Sequence, residues 1–440
     1  MVDRTNTIGL LAVVATVIAT VSVTTQTREL AITHVSVIDV VEGRILANST
    51  VTISGKTISS VTPDGAPRRD AQVVDGQGKF LIPGLWDMHA HIEMTGESSL
   101  QLDVANGVTG IRDMGSALDF ILNLREATAS GRALGPRIFA AGPILDDPPG
   151  DWPLRMRVKT AEDGRAAVQL LKSRGVDLIK VHDHTPREAF FAVAEEARRQ
   201  SLPLAGHIPL GVTAEEVIEA GQRDIEHLSN LELWRPCSKG AGYQPDLCRP
   251  FFEMMARQGV WSGPTLVAMS ELVTIGSPAS QLSADHVAYA GKSLRAMWAG
   301  NQSLIAITPQ LIRSQRARAE TGARVTSDMA KAGVGILAGC DALIAGFCMH
   351  DELAALVRGG MTPLAALQTA TLNPARYFGL QQTAGSVASG RSADLVLLDA
   401  SPLTDITNVG RIRAVVVAGR FLDRTELDKL LTQAKIAAAN

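Results

Sequence analysis

Leu81-Ile82-Pro83-Gly84-Leu85-Trp86-Asp87-Met88-His89-Ala90-His91 is the stretch on which the fold turns. An apolar run, broken by Pro83-Gly84, delivers two histidines one residue apart. Side chains alternate faces along a strand, so His89 and His91 point the same way, about 7 Å apart. Two imidazoles on one face, at the polar end of a buried strand, can grip one metal ion. An isolated His-x-His is as readily a pair of core or surface histidines. The reading therefore depends on what later strands deliver.

After Pro83-Gly84 strand-like runs alternate with helical ones. Strands are expected at 85–91, 107–113, 136–143, 177–182, 202–207, 224–228, 260–267 and 334–338. Among the intervening helices, Thr213-Ala214-Glu215-Glu216 is a capping box closed at Gly221. Arg187–Arg199 and Leu311–Ala332 also carry helical periodicity, and Thr362-Pro363 opens a helix expected to run to Asn373-Pro374. Eight such strands over about 250 residues fit an α/β fold of the (β/α)8 TIM-barrel type. A doubly wound open sheet is the alternative, disfavoured because no G-x-G-x-x-G follows an early strand.

The two ends of the chain read differently. Residues 28–83 show short alternating runs with Gly punctuation, a small antiparallel β unit. β character returns at Gly385-Ser386-Val387, 393–398 and 412–419. We expect 28–83 and 384–424 to combine into one discontinuous β-sandwich domain, with the barrel over 84–383 and a C-terminal helix over 425–440. Residues 8–23 are apolar apart from threonines and one serine, which suggests a signal segment over 1–27 and export to a periplasmic or secreted location. An uncleaved anchor or a cytoplasmic location is the competing reading. No second long apolar run follows, so stable membrane insertion after signal cleavage is not expected.

Functional groups of such barrels sit at the C-terminal ends of strands. His89 and His91 close strand one, Lys180 lies near the end of strand four, and His207 ends strand five. His227 ends strand six and Asp341 ends strand eight. Each has a bland reading: a hydrogen-bonded histidine, a snorkelling lysine, a capping aspartate. Six metal-compatible groups in register with five strand ends are hard to assign to chance.

These residues carry a resemblance. The chain resembles the amidohydrolase superfamily, in the branch of imidazolonepropionase-related enzymes and prolidase-like metallodipeptidases. The likeness rests on the opening stretch, Lys180, Gly206-His207, Ile225-Glu226-His227 and Gly339-Cys340-Asp341. It continues through His350-Asp351-Glu352-Leu353, 360–367, 370–375 and 385–396. It implies two divalent metal ions, zinc by expectation, with His89, His91 and Asp341 on one and His207 and His227 on the other. Lys180, carboxylated by CO2, would bridge them. Asp341 would act as general base and then acid around a hydroxide shared by the ions. Deaminases of the superfamily carry a glutamate soon after the strand-five histidine. Here His207 is followed by Ile208-Pro209-Leu210-Gly211, which favours hydrolysis.

The expected function is hydrolysis of an amide bond in a small molecule, with dipeptides or N-acyl amino acids leading. Aryl amides, carbamates, lactones or organophosphates are the alternative, and a non-catalytic binding or assembly protein on the same fold is a second. Substrate contacts are expected from His182, two residues beyond Lys180, and from His350 after strand eight. Arg155 or Arg157, in a loop over 146–157, could neutralise a substrate carboxylate. His350 is as readily a helix-capping residue, and a solvated surface loop is the stronger reading of Arg155 and Arg157.

Of 440 residues 46% are hydrophobic, 20% charged and 4% aromatic, with a net charge of −3. That balance describes a folded chain and no nucleic-acid partner. A homo-oligomer is left open. The four cysteines lack C-x-x-C spacing, which argues against a thiolate metal site. Cys237 and Cys248 bracket a loop and could form a disulfide or stay reduced.

Overall fold

The computed structural model describes residues 28–439 except 150–153, 229–241, 276, 278 and 304–306. The segment expected to be a signal therefore lies outside the described residues.

The N-terminal strands are β1 (Leu30–Asp39), β2 (Arg44–Ser54), β3 (Thr57–Pro63), β4 (Gln72–Asp75) and β5 (Phe80–Pro83). A parallel series follows: β6 (Leu85–Ala90), β7 (Val108–Asp113), β8 (Arg137–Ala140), β9 (Ile144–Asp146), β10 (Arg155–Arg157), β11 (Ile179–Val181) and β12 (Leu204–Gly206). It ends with β13 (Asp224–Glu226), β14 (Trp261–Gly263) and β15 (Gly335–Ile336). The chain returns to antiparallel pairing with β16 (Leu395–Leu398), β17 (Ile412–Val417) and β18 (Arg420–Leu422).

Both chain ends share one sheet, in the order β18-β17-β16-β5-β1-β2-β3 with β4 beside β1. The join is antiparallel, Leu395 opposite Pro83 and Leu398 opposite Phe80. The unit is not wholly antiparallel, because β1 runs parallel to both β4 and β5. Alternation explains why β16 is buried along its whole length. Leu395 and Leu397 enter a small core with Leu81, Ala414 and Val416. Val396 and Leu398 face the other way, into the main core with Ile82, Val415 and Val417. One sheet is thus covered on both faces, which is why its strands read as continuous apolar runs. Gly385-Ser386-Val387 forms bends rather than the expected strand. The turn after the helix Leu372–Tyr377 occupies it, and a Cβ at Gly385 would lie 2.6 Å from that of Ala375.

Hydrogen bonds step around the parallel series. β6 pairs with β7, with register shifts between Leu85 and Trp86 and between Asp87 and Ala90, and β7 pairs with β8. Asp177 N–H, just before β11, donates to Ala140 O at the end of β8 (2.9 Å), and β11 pairs with β12. Arg223 N–H, just before β13, donates to Leu204 O (2.7 Å), and β13 pairs with β14 and β14 with β15. Past β15, Met88 N–H donates to Ala338 O (2.9 Å) and Asp341 N–H to His89 O (2.6 Å). The path has returned to β6. Every strand expected from 85 to 338 is present, each shorter than its apolar run.

The helices keep their sequence signals. Thr213 and Glu216 cap Ala214–Glu219 reciprocally, and Arg187–Arg199 is a helix. The helix opened by Thr362 stops at Thr369, and a second begins at Leu372 with Pro374 in its first turn. The terminal helix runs Arg424–Ala439. No helix among the described residues is long and apolar enough to cross a membrane.

Cys340 and Cys348 form a disulfide that no sequence spacing announced. It ties the residue before Asp341 to the helix Phe347–Arg358. Cys248 is also disulfide-bonded, while Cys237 lies outside the described residues. Closing so short a loop restricts the unfolded chain by about 2.5 kcal/mol. Cys348→Ser should therefore lower the urea midpoint by that equivalent, and an unchanged midpoint would show that the bridge carries no stability.

Candidate active site

The strand ends bring the six groups together. His89 and His91 come from the end of β6, Lys180 from β11, His207 and His227 from just past β12 and β13. Asp341 arrives through its backbone bond to His89 and a parallel bridge to Ala90. Gly339 makes that approach feasible, since a Cβ there would lie 2.6 Å from His89 Cβ. His89 and His227 have ring centroids 4.6 Å apart, His207 and His227 4.7 Å, and His89 and His91 5.3 Å.

Each imidazole is held by its Nδ1. His89 Nδ1 meets Glu226 Oε2 at 2.7 Å, and His207 Nδ1 meets Asp183 Oδ1 at 2.8 Å. His227 Nδ1 meets the Thr265 hydroxyl at 2.6 Å, and His91 Nδ1 faces Gly115 O at 3.3 Å. At His89, His207 and His91 a carboxylate or carbonyl oxygen accepts, so the ring proton sits on Nδ1 and the Nε2 lone pair is left for another partner. His91 Nε2 lies 3.4 Å from Asp341 Oδ1, and His89 Nε2 lies 4.0 Å from it. Electron-rich atoms converging at such distances fit a cation between them.

Burial adds to this fit. His89 Nε2 and Lys180 Nζ are buried without a hydrogen-bond partner among the described residues. Burial drives the pKa of His89 and His207 well below the usual imidazole value and lowers that of His227, so the rings are neutral, as ligation requires. It also lowers the Lys180 ammonium, favouring the free amine that reacts with CO2. The residues present therefore fit a divalent metal site.

Backbone strain gathers here. His227, Thr265 and Asp341 have φ of 60°, 44° and 56°, a left-handed region rarely used by non-glycine residues. At His227 it breaks the strand alternation, so Glu226 and His227 both turn toward His89.

The groups line a cavity of about 190 Å³ whose larger apolar lining residues are Met94, Ile144, Leu272 and Met297. His182 and Arg155 line it too. The His182 ring lies against His207, centroids 3.8 Å apart, with Nδ1 3.5 Å from Asp146 Oδ2. Arg155 pairs with the fully buried Asp146. Its segment is not the expected loop, because β10 pairs in parallel with β9. Arg157 pairs with Asp147 at 2.7 Å and does not line the cavity. His350 is not brought to the site: its Nε2 meets Asn106 O at 2.9 Å, and burial lowers its pKa to about 4.

Sequence reasoning did not single out Asp183, Glu226 or Thr265. Asp183 and Glu226 adjoin motif residues and carry acid, which is a weak signal. Thr265 carries none, since only the fold places it beside His227.

The family model of the amidohydrolase family matches residues 80–422. Among curated relatives, ochratoxinase of Aspergillus niger is 24% identical over 436 residues, covering 83% of this chain and 80% of its own. Imidazolonepropionase of Rubrobacter xylanophilus is 26% identical, covering 82% and 87%. Among solved structures, a bottromycin amidohydrolase superposes with a TM-score of 0.77 at 26% identity, over 94% of this chain and 91% of that one. A match spanning the strands that carry all six converging groups leaves one conclusion: the chain belongs to the amidohydrolase family.

Proposed function

We propose that the protein is a metal-dependent hydrolase that cleaves an amide bond in a small substrate, with a dipeptide or an N-acyl amino acid as the leading class. The observation that carries this reading is the set of four imidazoles held by Nδ1 around Asp341 and a buried Lys180 amine with no partner among the described residues. The amidohydrolase family match and the bottromycin amidohydrolase, named for amide hydrolysis, support the amide class.

His89, His91 and Asp341 would hold one divalent ion and His207 and His227 a second, zinc by donor chemistry, with carboxylated Lys180 between them. Bound there, the ions would lower the pKa of water and polarise the scissile carbonyl. Asp341 accepts the proton of the attacking water and returns it to the leaving nitrogen. The backbone bond to His89, which holds Asp341 beside His91, supports this role. His182, at the cavity wall against His207, would contact the substrate. Arg155 offers a cation to a substrate carboxylate, and the four apolar residues pack the substrate's hydrocarbon part.

The reading carries the architecture with it: a (β/α)8 barrel over 84–383, a β-sandwich from 28–83 and 384–424, and a terminal helix over 425–440. It also carries export, since disulfide-bonded cysteines fit an oxidising compartment.

Metal analysis of the purified protein should return about two divalent ions per chain, and a clean value of one would replace the bridged pair with a single-ion site. Asp341→Asn should lower kcat by about 10²–10⁴-fold with the fold retained, and wild-type turnover would remove Asp341 from the proton-transfer role. Arg155→Met should raise KM about 10–100-fold for substrates with a free carboxylate and leave their carboxamides little changed. Equal effects on both would discard the carboxylate contact. Activity confined to carbamates or lactones in a substrate panel would favour that alternative class.

A further inference from the structure

Behind the imidazoles lies a charged network that the proposed reaction does not use. Arg112 on β7 is 0% exposed. Its Nε donates to Met88 O at 2.6 Å, one guanidinium nitrogen donates to Asp224 Oδ2 at 3.0 Å, and the other donates to Glu226 Oε1. The Tyr377 hydroxyl donates to Asp224, and the guanidinium lies 5.1 Å from the centre of the Tyr377 ring. β6, β7, β13 and the helix Leu372–Tyr377 meet at this one cation.

Glu226 stands between Arg112 and the site. One carboxylate oxygen faces the guanidinium, and the other faces His89 Nδ1 at 2.7 Å. Gly263 leaves the space that this carboxylate occupies, since a Cβ there would lie 2.1 Å from Oε2. Arginine has donors only, so Oε1 must accept, and the pairing favours the ionised carboxylate. An ionised Oε2 also accepts, which places the His89 proton on Nδ1. His89 Nε2 then presents a lone pair to the cavity, and it is the atom found buried without a partner among the described residues.

We infer that Glu226, clamped by Arg112, is a positioning residue that fixes the tautomer and ring direction of His89 and so sets how well His89 holds an ion. The statement about affinity rests on the metal reading above, whereas the statement about the tautomer does not. Glutamine isolates the effect. Arg112 and His89 Nδ1–H both need an acceptor, and an amide has one oxygen. If the oxygen serves the guanidinium, the NH2 group faces Nδ1, the ring proton moves to Nε2, and the ligand lone pair turns away from the cavity.

Two measurements test this. In metal-stripped wild-type protein with 15N-labelled histidine, His89 should carry its proton on Nδ1 and show an unprotonated Nε2. A proton on Nε2 would overturn the inference without any variant. In Glu226→Gln the tautomer should reverse, and competition with a chelator should show zinc held about 10–100-fold more weakly, with near-ultraviolet circular dichroism unchanged. A folded variant that keeps wild-type affinity and tautomer would also overturn it. Should the variant fail to fold, the wild-type tautomer decides. Wild-type protein that binds no divalent ion would remove the functional reading, and the tautomer would still decide the role of Glu226.

Discussion

The hydrogen bond from Asp341 N–H to His89 O, 2.6 Å long, is the contact on which the rest depends. It returns the parallel series to its first strand, and the same bond sets the Asp341 carboxylate against His91. The neighbouring groups reinforce it. Asp87 Oδ1 accepts from both His89 N–H (2.9 Å) and Cys340 N–H (3.1 Å), so one buried carboxylate straddles the seam. Burial raises its pKa to about 7, and the two N–H donors act against that shift. The Cys340–Cys348 bridge carries the seam into the helix Phe347–Arg358. Glu352 of that helix accepts from Leu266 and Val267 N–H, at 2.9 Å each, directly after the Thr265 that touches His227. Two ligand candidates on distant strands are thereby braced by one covalent and hydrogen-bonded path.

Such bracing is needed because the site is costly to assemble. Three non-glycine residues with positive φ cost about 1–3 kcal/mol each, and neutral buried imidazoles forgo hydration. Only an over-determined surrounding holds such a cluster in one geometry. The main apolar core runs continuously from Ile38 through the parallel strands to the terminal helix at Leu427 and Ala434. The smaller core on the far face of the composite sheet fixes the strand that leads into β6. Sequence distance is no obstacle here, since Ile82 and Val396 lie opposite each other immediately before the first histidines.

What was legible in the sequence follows from this division. Local periodicity carries strand and helix identity, so each parallel strand and the Thr213 capping box could be read directly. His89 and His91 are legible because alternation is a local rule, and the other four became legible through their register at strand ends. The partners of the imidazoles were not, because each pairing joins residues tens of positions apart. Glu226 meets His89 across 137 positions and Thr265 meets His227 across 38. The Cys340–Cys348 bridge was missed because its geometry depends on a turn between Asp341 and the next helix. His350 drew attention as a histidine in a motif, yet the helix that carries it turns it toward the Asn106 carbonyl. Gly385-Ser386-Val387 has strand composition, yet Gly385 packs closely against the helix Leu372–Tyr377 instead.

The cavity wall shows how one site can combine a fixed and an adaptable half. Arg155 is set on a paired strand, and its ion pair with Asp146 is anchored on a carboxylate with no exposure. A guanidinium held this way loses little conformational freedom when an anion arrives. Met94 and Met297, which also line the cavity, present unbranched thioethers that re-pack at low cost, and Ile144, paired with Arg155 across β9 and β10, lines it with Leu272. On the proposed reading, the polar half would select one feature shared by all substrates, the carboxylate beside the scissile amide. The apolar half would accept a range of hydrocarbon groups within a volume of about 190 Å³. Narrow tolerance at the charged end and broad tolerance at the apolar end then follow from which side chains are ion-paired and which are merely packed.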